Sequence, residues 1–135
     1  MKNSKLLKLV LLVSGLIAIG IGSAILFVPA TFYATYGIEL GSDASLANEI
    51  RAPGGALLAM GVLIVAGVFV AELTFASTVI AAVLYLSYGL SRLMSMATDG
   101  LPDGGLVGAA AFEFAIGAAS LLALLRARKT SSRQA

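Results

Sequence analysis

The sequence contains neither cysteine nor histidine, and it has only 9 basic and 7 acidic residues among 135. These absences exclude disulfides, thiolate nucleophiles, Ser-His-Asp triads, His-ligated haem and the usual zinc sites. Charged residues make up 12% of the chain, about half of the roughly 25% found in ordinary globular proteins. Because 59% of the residues are hydrophobic and are spread over nearly the whole length, we expect the chain to reside in a lipid bilayer.

Four long segments with almost no charge divide the chain. Three contain no charged residue and the fourth contains only Glu113: residues 9–28, 52–71, 73–91 and 105–125. A bilayer core of about 30 Å requires roughly 20 helical residues, so each segment predicts one span. The first segment exceeds the roughly 7–15 apolar residues of a signal peptide and is expected to remain as a helix. The predicted fold is a single all-α transmembrane domain over residues 1–135, an up-down-up-down bundle of four antiparallel helices at about residues 6–28, 46–71, 73–96 and 105–126.

The basic residues indicate the orientation of these spans. Seven of the nine lie near the ends of the chain: Lys2, Lys5, Lys8, Arg126, Arg128, Lys129 and Arg133. Because cytoplasmic flanks collect Lys and Arg, both termini are predicted to be cytoplasmic, which requires an even number of spans. This rule and anionic headgroups explain the short basic tail, so the bilayer is an expected partner and nucleic acid is not.

With this topology, ionisable residues from three helices converge on the outer half of the membrane. They are Glu49, Arg51, Arg92, Asp99, Asp103 and Glu113. Glu113 is the deepest, about 12 Å along its helix from Gly105, where an ionised side chain costs about 2.5–3.5 kcal/mol on insertion scales. We therefore expect Glu113 to face the bundle interior, either paired with Arg92 or Arg51 or kept protonated by desolvation.

Two tyrosines accompany Arg92 on one face of the predicted third helix. Tyr85 and Tyr88 precede Arg92 by seven and four residues, so helical periodicity places all three together. The candidate polar cluster consists of Glu49, Arg51, Tyr85, Tyr88, Arg92, Asp99 and Glu113. Two interpretations remain open: a structural network that holds the helices in register, or a site for a ligand, a lipid headgroup or a proton. No catalytic, cofactor-binding or metal-binding residue is predicted.

Further patterns concern helix entry, packing and loops. Pro53, followed by two glycines, is interpreted as a proline of the first helical turn, with a locally opened helix as the alternative. Small residues at four-residue spacing predict close packing, and the second ridge would suit a homodimer: Ser14, Ala18 and Gly22, then Ala111, Ala115, Ala119 and Ala123. Residues 29–47 are expected to form an external loop whose Phe32, Tyr33 and Tyr36 lie at the membrane interface. The polar residues 130–135 are expected to fray.

Three short motifs in order resemble a known family. They are Glu49-Ile50-Arg51-Ala52-Pro53-Gly54-Gly55, similar to its acidic-x-Arg-Ala-x-Gly-Gly signature, then Gly89-Leu90-Ser91-Arg92 leading to Asp99-Gly100-Leu101-Pro102, and finally Glu113. The family is the bacterial domain-of-unknown-function 4345 group of small four-span membrane proteins, and the resemblance covers about Leu6 to Leu125. Pro53 departs from the larger apolar or aromatic residue that the family pattern leads us to expect. The resemblance implies the fold and residence in the bacterial cytoplasmic membrane, and it implies no activity, substrate or cofactor.

These observations predict an integral membrane protein without enzymatic activity. The leading hypothesis is an accessory or scaffold protein whose ionic cluster holds four helices together, as a homodimer or in a larger membrane complex. The alternative is a small proton-coupled transporter, or a lipid- or quinone-binding protein, that uses Glu113 with Arg92 or Arg51. An enzyme is not expected, because no suitable base stands beside a hydroxyl in a recognisable motif.

Overall fold

Helices make up most of the chain in the computed structural model, which describes residues 4–135. The elements are α1 (Lys5–Phe27), α2 (Pro29–Ala34), α3 (Ala44–Phe69), α4 (Thr74–Asp99) and α5 (Gly104–Gln134), with a 3₁₀ turn at Ala71–Leu73 before α4. No β-strand occurs in this described part of the chain. The four long helices, α4 together with the turn before it, are each long and apolar enough to cross a membrane.

Short polar side chains determine where three of the long helices begin. The Ser4 hydroxyl accepts a hydrogen bond from the Leu7 amide at 3.0 Å at the start of α1. Asp43 before α3 and Asp103 before α5 each accept a hydrogen bond of 2.8 Å from an amide of the first turn. Such caps satisfy amides that have no partner inside the helix. These three helix starts are therefore a local property of the sequence.

Glycines bring α1 and α3 into backbone contact. A Cβ atom added at Gly22 would lie 2.8 Å from the Gly54 carbonyl oxygen, and one added at Gly61 would lie 2.9 Å from that of Gly15. Both distances are shorter than real Cβ contacts, so glycine is required at this spacing. The ridge of small residues expected on α1 is buried in the bundle: Ser14, Ala18 and Gly22.

A second tight pair is formed by α4 and α5. A Cβ atom at Gly117 of α5 would lie 2.6 Å from Leu86 Cγ, and one at Gly89 of α4 would lie 3.0 Å from the Phe114 ring. One cluster of buried core residues comes from α1, α3 and α4: Leu7, Leu11, Ile64, Ala81 and Tyr85. Hydrogen bonds also cross from α4 to α3, where Ser77 Oγ donates to the Leu63 carbonyl at 2.6 Å. Side chains thus join the two helix pairs.

Three features differ from the sequence-based expectations. α5 continues to Gln134 instead of ending near residue 126, and residues 130–134 are helical instead of frayed. The Arg, Ala and Lys residues before them favour helix and propagate it. The expected loop at 29–47 contains α2, which starts at Pro29. Pro53 lies well inside α3, which begins at Ala44 after the Asp43 cap, so the first-turn interpretation is wrong.

The second ridge of small residues divides between two environments. Ala111 and Ala115 are exposed, whereas Ala119 and Ala123 are partly buried. The buried face of α5 is formed by four other residues: Ala110, Glu113, Gly117 and Ser120. The half of the ridge nearer the start of α5 therefore faces away from the bundle.

Candidate functional site

A pocket of about 330 Å³ opens among the helices beside α2. Aliphatic side chains such as Ile17, Ile21 and Leu84 form part of its wall. Six aromatic residues line it: Phe32, Tyr33, Tyr36, Tyr85, Tyr88 and Phe112. The ionisable residues of the lining are Glu49, Arg92 and Glu113. The pocket is therefore mostly apolar, carries a few polar groups, and includes all four tyrosines of the sequence.

An ion pair joins α4 to α5 in the pocket wall. Arg92 Nε donates to both carboxylate oxygens of Glu113, at 3.0 and 2.9 Å. The Glu113 side chain is 10% exposed and the Arg92 side chain 29%. The guanidinium carbon lies 5.8 Å from the centroid of the Tyr88 ring, within the range of a cation–π contact. Because Glu113 occupies Nε alone, the two terminal nitrogens of Arg92 make no hydrogen bond within residues 4–135.

Arg51 takes no part in this pair. The sequence left Arg92 and Arg51 as alternative partners of Glu113, and the structure pairs Glu113 with Arg92. Arg51 is exposed and donates from Nη1 to the Leu26 carbonyl near the end of α1. Its guanidinium therefore ties the start of α3 to α1 and stays outside the pocket lining.

Tyr85 connects α4 to α1 at the deeper side of the pocket. Its hydroxyl donates to the Ser14 carbonyl, and its ring meets Phe112 edge-on, with centroids 6.2 Å apart. The Tyr85 side chain is buried. Because its hydroxyl is already engaged, Tyr85 acts mainly as a packed wall residue, in contrast to the other three tyrosines.

The short helix α2 supplies the aromatic residues that sequence analysis assigned to an interfacial loop. Val28 interrupts α1 with φ −135° and ψ 54°, and Pro29 then begins α2. Phe32 packs edge-on against Tyr33 and Tyr36, at centroid distances of 5.3 and 5.5 Å. Proline at the first helical position was the available signal, since it favours a helix start. The pattern could not show that this helix turns its rings toward the pocket.

Tyr33 keeps its proton over the physiological pH range. Burial raises the pKa of its hydroxyl above the ordinary value of 10.0, and the positive charge of Arg92 partly opposes this shift. The hydroxyls of Tyr33, Tyr36 and Tyr88 make no hydrogen bond within residues 4–135. The pocket therefore presents unused hydroxyl groups as well as the terminal nitrogens of Arg92.

Glu49 and Asp99 differ in their relation to the pocket. Glu49 lines it, is exposed, and forms no ion pair within the described residues. Pro53 also lines the pocket and, lacking an N–H group, leaves the Glu49 carbonyl without its helical donor. Asp99 lies at the end of α4, accepts a hydrogen bond from Ser95 at 3.1 Å and lies outside the lining. No group of three or more acidic side chains within residues 4–135 could hold a metal ion.

A family model described as a domain of unknown function (DUF4345) matches residues 6–124. No curated protein and no solved structure matches the chain. The matched segment includes every residue of the pocket lining.

Proposed function

The chain belongs to the DUF4345 family, and we propose that this member is a non-enzymatic membrane protein that binds a small amphipathic molecule, of the lipid or quinone class, in its aromatic pocket. The observation that carries the proposal is that several hydrogen-bonding groups of residues lining an apolar cavity have no partner within the described residues. Arg92, whose terminal nitrogens make no hydrogen bond within residues 4–135, and three tyrosines whose hydroxyls make none there line a space of about 330 Å³. Small-molecule sites typically have about 300–1,000 Å³, apolar walls and a few convergent polar groups.

We place this pocket in the outer half of a bacterial cytoplasmic membrane. The proposed topology is an up-down-up-down bundle of antiparallel helices with both termini in the cytoplasm. The opposite order of the contacts Gly15–Gly61 and Gly22–Gly54 supports antiparallel α1 and α3. The basic residues at both chain ends support the orientation. Arg92 lies seven residues before the end of α4, about 10 Å below the proposed outer surface.

An accessory or scaffold role is the second candidate. It is favoured by the Arg92–Glu113 pair, which fastens α4 to α5, and by the exposed residues Ala111 and Ala115. Small residues on an outward helix face permit close approach of another transmembrane helix. In this role the chain would form a homodimer or join a larger membrane complex, and the pocket would remain structural.

The first test uses the tyrosines as a built-in reporter. The sequence has no tryptophan, and its four tyrosines all line the pocket, so intrinsic fluorescence reports on that pocket alone. We expect a decyl-substituted benzoquinone or a dodecyl phospholipid analogue, titrated into protein in dodecyl maltoside, to change this fluorescence saturably. Replacing Ala109, which lines the pocket, by Phe should weaken binding at least about tenfold, because the new ring fills the cavity.

The matched control is Ala111→Phe, two residues further along the same helix and exposed. It adds the same ring outside the pocket, so it should leave binding unchanged. Equal binding by both variants, or fluorescence that never saturates, would exclude the pocket as the binding site. The scaffold interpretation would then lead, and Ala111→Phe would be tested for loss of a dimer or of a co-purifying partner.

A further inference from the structure

The polar end of the ligand can be inferred from two ionic groups of the pocket that lack a full set of partners. This inference rests on the proposed binding function and concerns the chemistry of the headgroup. The two groups are the guanidinium of Arg92 and the carboxylate of Glu49. They carry opposite charges and belong to different helices, α4 and α3.

Arg92 is oriented to bind an anionic oxygen. An arginine usually binds a carboxylate through two parallel N–H bonds, which occupy two of its nitrogens. Here Glu113 accepts both of its bonds from Nε, and the terminal nitrogens remain unbonded within the described residues. The guanidinium also lies within cation–π distance of the Tyr88 ring, which favours a positive charge at this position. The remaining N–H groups match the oxygens of a phosphate group.

Glu49 is a candidate to bind a positively charged group. It lines the pocket, is exposed, and its carboxylate has no ion pair within residues 4–135. The nearest arginine along the chain, Arg51, binds the Leu26 carbonyl instead. Three rings of the same lining, those of Phe32, Tyr33 and Tyr36, supply aromatic faces. A carboxylate with aromatic faces is the environment that ammonium groups prefer.

Neither a purely anionic nor a purely cationic headgroup satisfies both groups. Glu113 already neutralises Arg92, so an anion alone would meet the uncompensated charge of Glu49. A cation alone would leave the terminal N–H groups of Arg92 without an acceptor in a mostly apolar cavity, which is unfavourable. We propose that the pocket binds a zwitterionic amphiphile, with its phosphate on the terminal nitrogens of Arg92, its ammonium at Glu49 and its hydrocarbon along the aliphatic wall.

Four amphiphiles that share a dodecyl chain and differ in headgroup separate the contribution of the phosphate from that of the ammonium group. They are dodecylphosphocholine, dodecyl phosphate, dodecyltrimethylammonium and, as the background detergent, dodecyl maltoside. Each is titrated into the full chain in mixed micelles, with tyrosine fluorescence as the readout. Dodecylphosphocholine should bind about tenfold or more tightly than either singly charged compound, because each charged contact is worth roughly that factor.

Variants then assign each half of the headgroup to its residue. Glu49→Gln should reduce the affinity for dodecylphosphocholine to that for dodecyl phosphate, while dodecyl phosphate itself binds no worse. Arg51→Gln is the matched control: it removes a charge two residues away, outside the lining, and should change neither affinity. Arg92→Gln should weaken dodecylphosphocholine and dodecyl phosphate alike, provided that its circular dichroism spectrum stays helical. Glu49 is exposed, so its variant tests the inference even if Arg92→Gln unfolds.

The outcomes distinguish this inference from the proposed function. If dodecyl phosphate or dodecyltrimethylammonium binds as tightly as dodecylphosphocholine, the zwitterion is excluded and the binding function stands. If Glu49→Gln leaves the affinity for dodecylphosphocholine unchanged, the assignment of the ammonium to Glu49 is overturned. If none of the compounds changes tyrosine fluorescence saturably, the proposed binding function itself fails.

Discussion

Among the single residues, Glu113 and Arg92 form the contact on which both proposed functions depend. Glu113 is buried on α5, and its two oxygens share one N–H group of Arg92 on α4. Removing one partner of a buried pair leaves an uncompensated charge, whereas removing both leaves none. The pair therefore limits what may be substituted at either position, whether or not a ligand binds beside it.

We expect Glu113→Leu alone to lower the free energy of unfolding by about 3 kcal/mol, because Arg92 then remains in the wall without its anion. The double variant Arg92→Met with Glu113→Leu should recover most of that loss. Thermal unfolding of the detergent-solubilised protein, followed by circular dichroism, measures both effects. Losses that simply add in the double variant would show that the pair does not hold α4 to α5, and would count against the scaffold role.

The helices associate through two different kinds of surface. α1 and α3 touch through glycine backbones, whereas α4 and α5 fit glycines against the side chains of Leu86 and Phe114. In a bilayer the lipid is as apolar as the helix surface, so close packing contributes to association where hydrophobic burial does not. The surroundings of the short helix α2 are set by this packing, since its rings line a space enclosed by the other helices.

Two glycines of α1 provide a matched comparison of this packing. Gly22→Ala should destabilise the fold by about 1–3 kcal/mol, because the new methyl group meets the backbone of α3 at Gly54 and Leu58. Gly20→Ala, on the same helix with no atom within 4 Å of the added Cβ, should be neutral or stabilising by up to about 1 kcal/mol. Detergent melting curves of the two variants give the comparison. Equal melting temperatures would contradict the packing described for α1 and α3.

Across its full length the protein has an uneven distribution of charge. Six of the seven acidic residues lie in or beside the proposed outer half, and Glu72 in the turn before α4 is the exception. Seven of the nine basic residues lie toward the two chain ends. This asymmetry orients the chain in the proposed topology and makes the approach to the pocket acidic. An acidic approach is compatible with a headgroup that contains an ammonium group.

The absence of cysteine allows a direct test of this orientation. Ser42→Cys, between α2 and α3, and Ser132→Cys, near the end of α5, each introduce one thiol at an exposed position. In intact spheroplasts, a membrane-impermeant maleimide should label Ser42→Cys fully and Ser132→Cys hardly at all. After permeabilisation both should react, which controls for accessibility. The reverse pattern would place the pocket in the cytoplasmic half of the membrane.

The sequence predicts the apolar helices and the burial of Glu113, but it does not predict every helix start or the partner of Glu113. The four apolar helices follow from charge-free runs, and the buried position of Glu113 follows from the cost of an exposed charge in lipid. The start of α3 at Ala44 lies two residues before the predicted start at about residue 46, because the Asp43 cap lies among polar residues that break the hydrophobic pattern. Which arginine pairs with Glu113, Arg92 or Arg51, could not be predicted, because it depends on contacts between helices that are far apart in the chain.

Composition and pattern along the chain were enough to establish the all-helical class, the four apolar segments and the family, because each depends on residues that are close in sequence. The packing of the helices was needed to establish the pocket. Its wall combines α2, a deep tyrosine of α4 and Glu49 of α3, residues separated by tens of positions. Whether such side chains enclose one cavity depends on how closely the helices approach, and here glycine contacts between distant segments set that distance.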